Sequence, residues 1–480
     1  MARLSDSHRV KDAAIWHTAL QANLSYVVSG WYKLLGRQWR QGTALREIMR
    51  TRTYGHEGAF RVAERYPSPA KALVHSVMGL ESLFPVVYCA RGRLVRPILA
   101  SLLIFHAANA YLMGLGRFLT AFASMHPHVA YTAGPKHPAA PDRDDTPVTA
   151  VALAAAGIAA WAGVRALRRR IYVLRGAKGT QWHTMPNGDV IAYRFDPGCE
   201  TEPVLVFCNS LAATSEHFSW IATTVQSHRP CGVLRYDRAG YGASRQTDHT
   251  PRGLNAAVRE LCDLVGATVN RDRHIVLVGH SLGGDIARRA ASSLGNRVAG
   301  VVYLDPSHPG QLDRSERQRA SSAGFADILT TMAWSTRLGL GVLMSRENWI
   351  EDLPSHTRER AFAEYADSRL WTAARREWAS ILDEYREFDS TLPPVRSPAL
   401  LVTASKTADT DPEQVVLHNE IAEAHRTGGA HAETTVLHDT DHDSLMTNGT
   451  NATQVGALIM EFVRIHASGA KASFGKEAGD

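Results

Sequence analysis

One short stretch in the second half of the chain restricts the possible folds more than any other feature. Residues Arg273–Val278 end in an apolar, β-branched run, which predicts a buried strand, and Asp285–Ala291 has the composition of a helix start. The segment Gly279–Gly284 between them reads GHSLGG. Glycines two positions before and after Ser281 permit a sharp strand-to-helix turn that lifts the serine hydroxyl above the sheet. The pattern predicts Ser281 as a nucleophile and the N–H of Leu282 as a donor to a negative oxygen formed there.

Length and charge set the broader expectations. The chain has 480 residues, so two or three domains are expected. Much of the basic excess behind the formal charge of +6 lies in the first third, beside apolar runs. That pattern favours a membrane surface as a partner, and no nucleic-acid-binding motif is present. The five cysteines are odd in number and lack metal-ligand spacing, which predicts a reducing compartment and no disulfide framework. No metal or organic cofactor is expected.

Residues 12–170 are predicted to form an all-helical membrane region with about four spans. The best candidate is Val148–Val164, followed by Pro97–Phe122, and the weaker ones are Ala70–Cys89 and Ile15–Leu35. Arginines at 91, 93 and 96 and at 165–170 favour the cytoplasmic side, which puts everything after residue 170 in the cytoplasm. The basic segment Gly36–Lys71 disagrees with this topology, because it would lie outside. A soluble helical domain is the alternative.

Part of the predicted membrane region resembles a known membrane domain. The patterns are Trp16–Tyr26, Ser29–Leu34, Trp39 and Gly42–Leu45, and they resemble the start of the membrane domain of vitamin K-dependent gamma-carboxylase-like proteins. The resemblance covers at most residues 13–125, and no carboxylase activity is expected from it. Five polar residues lie inside the candidate spans, either as functional groups or as partners in interhelical hydrogen bonds. They are His17, Asn23, Glu81, His106 and Asn109.

From residue 180 onward, short apolar runs alternate with helical stretches. A hairpin is predicted across Asn187–Asp189, and the following pattern predicts a mostly parallel sheet with helices on both faces. The further predicted strands are Val204–Cys208, Cys231–Tyr236, Ile275–Val278, Val298–Leu304, Ala399–Thr403 and Thr434–Leu437.

Three motifs in order make residues 180–467 resemble the α/β-hydrolase superfamily. They are Tyr236–Ser244, Gly279–Gly284 and the pair Asp441-His442. The resemblance implies an α/β-hydrolase fold and a triad in the order nucleophile, acid, histidine. Asp237 and Arg238 in the first motif are expected to brace loops rather than to catalyse.

Placement after the last predicted strand favours His442 as the general base, with His438 as the weaker candidate. The acid is ambiguous, because the position where many relatives carry Asp holds Thr407. Asp305 at the end of one strand is favoured, and Asp409 after the next is the alternative.

The resemblance also implies a second oxyanion donor and a cap. The N–H of Leu211, in the loop after Val204–Cys208, is the expected donor beside that of Leu282. Residues 311–392 have helical periodicity and several tryptophans, which predicts an inserted helical cap over the substrate pocket.

These features together predict a membrane-anchored serine hydrolase of the carboxylesterase or lipase type. Its expected substrate is a small-molecule or lipid-like carboxylic ester, or a related acyl bond. The alternatives are a carbon–carbon bond hydrolase, a thioesterase, a cofactor-free haloperoxidase, or a membrane protein that only binds a ligand. The substrate's identity and the oligomeric state do not follow from the sequence.

Overall fold

The structure is a computed structural model that describes residues 7–89, 92–136, 138, 142–228, 231–248, 250 and 252–467. The chain divides into two compact units, residues 1–158 and 159–480. The predicted limits of 12–170, 180–467 and 311–392 stay predictions.

The first unit is entirely helical in its described part. Its helices are α1 His8–Leu35, α2 Arg37–Gln41, α3 Ala44–Met49, α4 Glu57–Arg65, α5 Pro67–Ser82, α6 Val95–Met113 and α7 Gly116–Ala133, and α8, Thr146–Leu174, contains the unit boundary. The predicted span Pro97–Phe122 is broken, because Gly114 takes a φ of +72° and ends α6.

Two helices in the described residues are long and apolar enough to cross a membrane. They are Val95–Met113, with a mean hydropathy of 1.3, and Thr149–Leu174, with 1.7. Ile15–Leu35 and Ala70–Cys89 do not correspond to either of them, so the prediction of four spans is not supported. The segment Ala70–Cys89 is not one helix, because α5 ends at Ser82 and a short 3-10 helix follows at Phe84–Tyr88. The segment Ile15–Leu35 carries polar groups that pair inside the first unit, among them Asn23 and Lys33.

Polar side chains of the first unit join its helices. The Oη atom of Tyr26 lies 2.8 Å from His106 Nε2 and 2.9 Å from His126 Nε2. The ammonium of Lys33 donates to Glu81 Oε2 at 2.5 Å. For Glu81 and His106, these contacts favour the structural interpretation over a functional one, since each contact satisfies a buried polar group.

The second unit is built on one eight-stranded sheet in the order β1-β2-β4-β3-β5-β6-β7-β8. Its strands are β1 Gln181–Thr184, β2 Val190–Asp196, β3 Val204–Cys208, β4 Gly232–Tyr236, β5 Ile275–His280, β6 Val298–Leu304, β7 Ala399–Ala404 and β8 Ala432–Leu437. The strand β2 runs antiparallel to β1 and β4, and all other neighbours are parallel. The predicted hairpin and mostly parallel sheet are therefore confirmed.

Helices cover both faces of this sheet, because strands such as β3 and β5 are apolar and buried on both sides. The helices of the second unit that follow α8 are α9 Ser219–His228, α10 Leu254–Thr268, α11 Leu282–Leu294, α12 Gln311–Arg314, α13 Glu316–Arg337, α14 Asn348–Asp352, α15 Ser355–Tyr365, α16 Ser368–Arg386, α17 Ser405–Thr410, α18 Pro412–Thr427, α19 Ser444–Thr447 and α20 Gly449–His466. In β5, Ile275 and Leu277 face the core formed with α10 and α11, whereas Val276 and Val278 face the core formed with α9 and α20.

Five helices, α12–α16, lie between β6 and β7. They are inserted directly after the carboxyl end of β6, the edge at which a ligand site of a parallel sheet is expected. Phe325 of α13 packs edge-on against Trp378 of α16, with ring centroids 5.7 Å apart. Trp378 and its neighbours belong to the same hydrophobic core as Ile275 and Leu277 of β5, so the insertion packs directly onto one face of the sheet.

Candidate active site

Ser281 stands on a strained turn between β5 and α11. Its φ of +52° and ψ of −122° are unusual for a residue with a side chain. A Cβ on Gly279 would lie 2.3 Å from the carbonyl oxygen of Gly283, and one on Gly283 would lie 2.0 Å from that of Cys208. Both glycines are therefore required by close backbone approach, which is the steric reason for the sequence pattern.

The neighbours of Ser281 hold the turn in place. Its N–H donates to the carbonyl of Leu304 at 3.0 Å, and its carbonyl accepts from the N–H of Ser307 at 2.9 Å. The hydroxyls of Ser281 and Ser307 are 3.4 Å apart. Sequence reasoning did not single out Ser307, although its position three residues past the end of β6 was a signal that it would reach the same sheet edge.

His442 and Asp305 form a hydrogen-bonded pair. The imidazole Nδ1 of His442 lies 2.7 Å from Oδ2 of Asp305. The Asp305 side chain is only 2% exposed, whereas that of His442 is 46% exposed. Asp305 also accepts from the hydroxyl of Thr407 at 2.7 Å and from the N–H of Ala404 at 3.2 Å. Two donors besides the imidazole therefore hold this carboxylate in its orientation toward His442.

Thr407, which departs from the expected acid, supports the carboxylate of Asp305. The resemblance described above implies an acid at this position, and the hydroxyl of the threonine found there donates to Asp305. Asp409, the alternative acid, is exposed on α17 and makes no hydrogen bond or ion pair within the described part of the chain. His438, the alternative base, is also exposed, and it does not line the cavity described below.

The pair is electrostatically coupled. The His442 side chain is partly exposed, and the partial loss of its surrounding water would by itself lower its pKa. The hydrogen bond and negative charge of Asp305 outweigh this and raise the pKa to about 9. Burial opposes ionisation of Asp305, yet the hydrogen bond and charge of His442 hold the pKa of this carboxyl well below its usual range. The arrangement therefore favours a charged carboxylate beside an imidazole that accepts a proton readily.

The loop that carries His442 is fixed from two sides. The N–H of Lys406 donates to the carbonyl of Thr440 at 3.0 Å, which joins the loop to α17. Beneath the loop, Nε2 of the buried His280 lies 2.8 Å from the carbonyl oxygen of His442, and the two rings are 4.5 Å apart. His280 was named only as part of the serine motif, so this support is visible only in the structure.

The two residues whose backbone N–H groups are predicted to stabilise a negative oxygen, Leu282 and Leu211, both lie near Ser281. The N–H of Leu282 is the first of α11, where helix geometry leaves the N–H without an intrahelical acceptor. The other, that of Leu211, belongs to the loop after β3. Both residues line the same cavity as Ser281.

Arg238 braces the loop that contains Leu211. Its guanidinium donates to the carbonyl of Asn209 at 2.6 Å and to that of Ser210 at 3.0 Å. Glu377 of α16 accepts from the same guanidinium at 2.7 and 2.9 Å. This fits the bracing role expected for Arg238, and Glu377 is a participant that the sequence analysis missed because it lies 139 residues away.

One group of residues near the site has the donor types of a metal site. The potential ligand atoms of His280, His442 and Asp443 all lie within 4.8 Å of one another. With Nδ1 of His442 bound to Asp305, a metal would have to take Nε2. That nitrogen is also the one left for proton transfer, so the two roles exclude each other.

A cavity of about 770 Å³ is lined by Ser281 and by the His442–Asp305 pair. Its lining also includes aromatic and apolar side chains of α13–α16. They are Phe325, Ile328, Trp349, Tyr365, Trp371 and Trp378. Such a lining suits an apolar ligand with a polar reacting group. Of the predicted site residues, Ser281, His442, Asp305, Leu282 and Leu211 all line this cavity, and Asp409 does not.

Comparison with known proteins gives a family match and several similar structures. The alpha/beta hydrolase family model matches residues 205–453. An esterase from Exiguobacterium antarcticum is 15% identical over 59% of this chain and 99% of its own, with a TM-score of 0.43. A hydrolase from Pseudomonas aeruginosa PA01 is 21% identical over 60% and 99%, with a TM-score of 0.40. The enol-lactonase from Burkholderia xenovorans LB400 is 18% identical over 59% and 100%, with a TM-score of 0.42.

The family match does not extend to residues 13–125, where the resemblance to gamma-carboxylase-like membrane domains stays a prediction. It spans the serine turn, the five inserted helices and the loop of His442. The chain belongs to the alpha/beta hydrolase family and is an enzyme of the hydrolase class.

Proposed function

We propose that the protein is a membrane-anchored serine hydrolase that cleaves a carboxylic ester or a related acyl bond. One observation carries the proposal. Ser281 stands on its strained turn at the wall of the same cavity as the hydrogen-bonded pair His442–Asp305. An esterase needs a nucleophile, a base and an orienting acid within reach of one bound acyl group.

In the first half-reaction, Oγ of Ser281 attacks the acyl carbon while its proton moves to Nε2 of His442. The new oxyanion is stabilised by the N–H groups of Leu282 and Leu211. Asp305 keeps the imidazole in the tautomer with a proton on Nδ1 and stabilises its charged form. Collapse of the intermediate breaks the bond to the alcohol oxygen, which takes the proton from Nε2 and leaves an acyl-enzyme.

In the second half-reaction, water attacks the acyl-enzyme and gives its proton to Nε2 of His442. The Ser281–acyl bond breaks, the acid is released, and the proton returns to Oγ. The aromatic wall supports an apolar acyl or alcohol part of the substrate. No metal or organic cofactor takes part in this scheme.

Membrane anchoring is supported most by α8. None of the most apolar 18-residue window within Thr149–Leu174 is buried, and Leu153 and Ile158 are 69% and 67% exposed. Water would solvate such a helix poorly, whereas a bilayer would not. The arginines at 165 and 168–170 that follow its apolar part favour the cytoplasmic side for residues 175–467.

A fluorophosphonate probe tests the nucleophile. Ser281→Ala should abolish labelling of the purified full-length protein and its hydrolysis of p-nitrophenyl esters, because the attacking oxygen is gone. The matched control is Ser293→Ala, a serine exposed on the same helix α11, which should label like the wild type. Full labelling of a folded Ser281→Ala variant would refute the mechanism.

A further inference from the structure

The second unit contains another cavity, of about 940 Å³, that the proposed reaction does not use. Its lining comes from the last turns of α8, the loop after β4, and the helices α13 and α16. None of the proposed catalytic or oxyanion residues belongs to it. The helix α16 serves both cavities, since Trp371 and Trp378 line the active-site cavity while Arg369 and Thr372 line this one.

The charge of this second cavity is strongly one-sided. Six arginines line it against a single carboxylate, that of Asp367. The arginines are Arg169, Arg170, Arg245, Arg337, Arg369 and Arg376. Guanidinium groups present paired N–H donors in a plane, a geometry that matches phosphate and carboxylate oxygens. A concentration of this kind indicates a site for an anion.

Some of these arginines are anchored and would hold the wall in place. Arg170 pairs with Asp367 at 3.1 Å, and Arg169 donates to the carbonyl of Gly341 at 2.8 Å. The guanidinium of Arg369 donates to the carbonyls of Gly242 and Ser244. The lone carboxylate of the lining is therefore already engaged by Arg170.

The arginines also repel one another. Burial lowers the pKa of Arg369, Asp367 opposes that shift, and Arg170 and Arg245 add to it. Arg245 and Arg337 are exposed, and neither side chain donates a hydrogen bond within the described residues. The guanidinium of Arg337 lies over the ring of Trp334, 5.9 Å from its centroid, and keeps its N–H groups available. A bound anion would relieve the repulsion and accept hydrogen bonds from these two exposed guanidinium groups.

The position of the cavity along α8 indicates the source of the anion. The exposed apolar part of this helix includes Ile158 and Trp161, which are 67% and 54% exposed. The cavity lining begins at Ala166, five residues later, or about 7.5 Å along the helix axis. Lipid phosphates lie within that distance of the hydrocarbon boundary, where Trp also prefers to lie. Ala166, Leu167 and Leu174 add apolar surface to the lining beside the arginines.

We infer that the arginine-lined cavity binds a phosphate group, and that this group belongs to the headgroup of an anionic phospholipid. The bound lipid would attach the second unit to the membrane surface independently of the reaction at Ser281. The active site and the lipid site would then share α16 as a common wall.

Titration calorimetry on the purified full-length protein in a non-ionic detergent tests this inference. The probes are dihexanoylphosphatidylglycerol, dihexanoylphosphatidylcholine and inorganic phosphate. Saturable binding of the glycerol lipid is expected, with much weaker binding of the zwitterionic choline lipid. The double variant Arg245→Gln/Arg337→Gln should weaken binding of the glycerol lipid about thirtyfold, because each arginine near an anionic headgroup contributes on the order of 1 kcal/mol.

The matched control is Arg386→Gln/Arg464→Gln, which removes the same charge from side chains that are 71% and 64% exposed elsewhere on the unit. The control should bind the glycerol lipid like the wild type, and both double variants should keep p-nitrophenyl esterase activity. Equal binding by the wild type and the Arg245/Arg337 variant would overturn the site. Equal affinities for inorganic phosphate and the glycerol lipid would overturn the assignment to a lipid.

Discussion

At the scale of single residues, the proposed chemistry depends on which carboxylate holds His442. Asp305 accepts a hydrogen bond from the imidazole at 2.7 Å and is itself held by Thr407 and the backbone of Ala404. The φ of Asp305 is +43°, a strained value for a residue with a side chain. The surrounding hydrogen bonds must hold the residue in this conformation. Asp409 shares none of these contacts. The geometry therefore supports Asp305 as the acid. Substituting Asp305 and Asp409 separately would test this choice directly.

We expect Asp305→Asn to lower the turnover number by about ten-thousandfold, because the imidazole loses both its orientation and the support of its charged form. Asp409→Asn should stay within about tenfold of the wild type. Steady-state hydrolysis of a p-nitrophenyl ester measures both variants, with melting temperatures to exclude unfolding. The reverse result, a dead Asp409→Asn and an active Asp305→Asn, would place the acid after β7.

The same pair predicts a pH dependence. His442 must be neutral to accept the serine proton, and Asp305 raises its pKa to about 9. The rate of fluorophosphonate labelling should therefore rise with pH toward about 9. In Asp305→Asn the neighbouring charge is gone and burial remains, so the midpoint should move to lower pH. An unchanged midpoint would show that another group controls the rate.

The free energy of unfolding should depend on pH in the opposite sense to the activity. Because the folded-state pKa of His442 is raised, its contribution to the free energy of unfolding is complete below the ordinary value of 6.5 and is lost as pH rises through about 9. Activity and this part of the stability should consequently change in opposite directions between pH 7 and 9. The melting temperature of the wild type relative to Asp305→Asn measures the effect.

At the scale of secondary-structure elements, α16 connects the inserted helices to the catalytic edge of the sheet. Its Glu377 is 9% exposed and pairs with Arg238, which holds the carbonyls of Asn209 and Ser210. This chain of contacts positions the loop that carries Leu211. The inserted helices therefore do more than cover the cavity, since they also brace a loop of the sheet.

Glu377 should act as a positioning residue. Glu377→Gln weakens its hold on Arg238, and we expect a fall in kcat of roughly tenfold to a hundredfold with a smaller change in KM, because the oxyanion contact strengthens in the transition state. Glu384→Gln, also on α16 and paired with Arg289 at 3.5 Å, is the matched control and should keep normal kcat. A loss confined to melting temperature in Glu377→Gln would reduce the contact to a structural one.

At the scale of the whole molecule, the proposed membrane anchor raises the question of which side of a membrane the hydrolase unit would occupy. The described residues contain two helices that are long and apolar enough to span it, α6 and the Thr149–Leu174 part of α8. Arg93 lies just before α6, and Arg96 lies in the first turn of that helix. The arginines at 165, 168, 169 and 170 lie near the end of α8. Both groups favour the cytoplasmic side.

Protease protection tests this orientation. Protease added outside right-side-out vesicles should leave residues 175–467 intact, because the bilayer would separate them from the enzyme. After detergent is added, the same segment should become accessible, which controls for intrinsic resistance. Release of a hydrolase fragment from intact vesicles would reverse the orientation, and full recovery of the protein in the soluble fraction would remove the anchor altogether.

Much of the sheet could be predicted from local sequence. The ranges Val204–Cys208 and Val298–Leu304 agree with β3 and β6 to the residue, because apolar, β-branched runs between turn residues have few other stable conformations. The serine turn could also be predicted, because its glycines are required by close backbone contacts with residues near them in the fold. The membrane spans were harder, because apolar content alone does not distinguish a span from a helix buried against its neighbours.

The acid and its supports required the tertiary structure. Asp305 and Asp409 follow the adjacent parallel strands β6 and β7, so topology alone brings both to the same edge of the sheet. Packing of residues 137 positions apart brings His442 to Asp305, and the hydroxyl of Thr407 completes that contact. Local sequence determines strands and turns through short-range sterics and periodicity. The partner of His442 depends instead on how separate strands and loops pack, which no short stretch of sequence encodes.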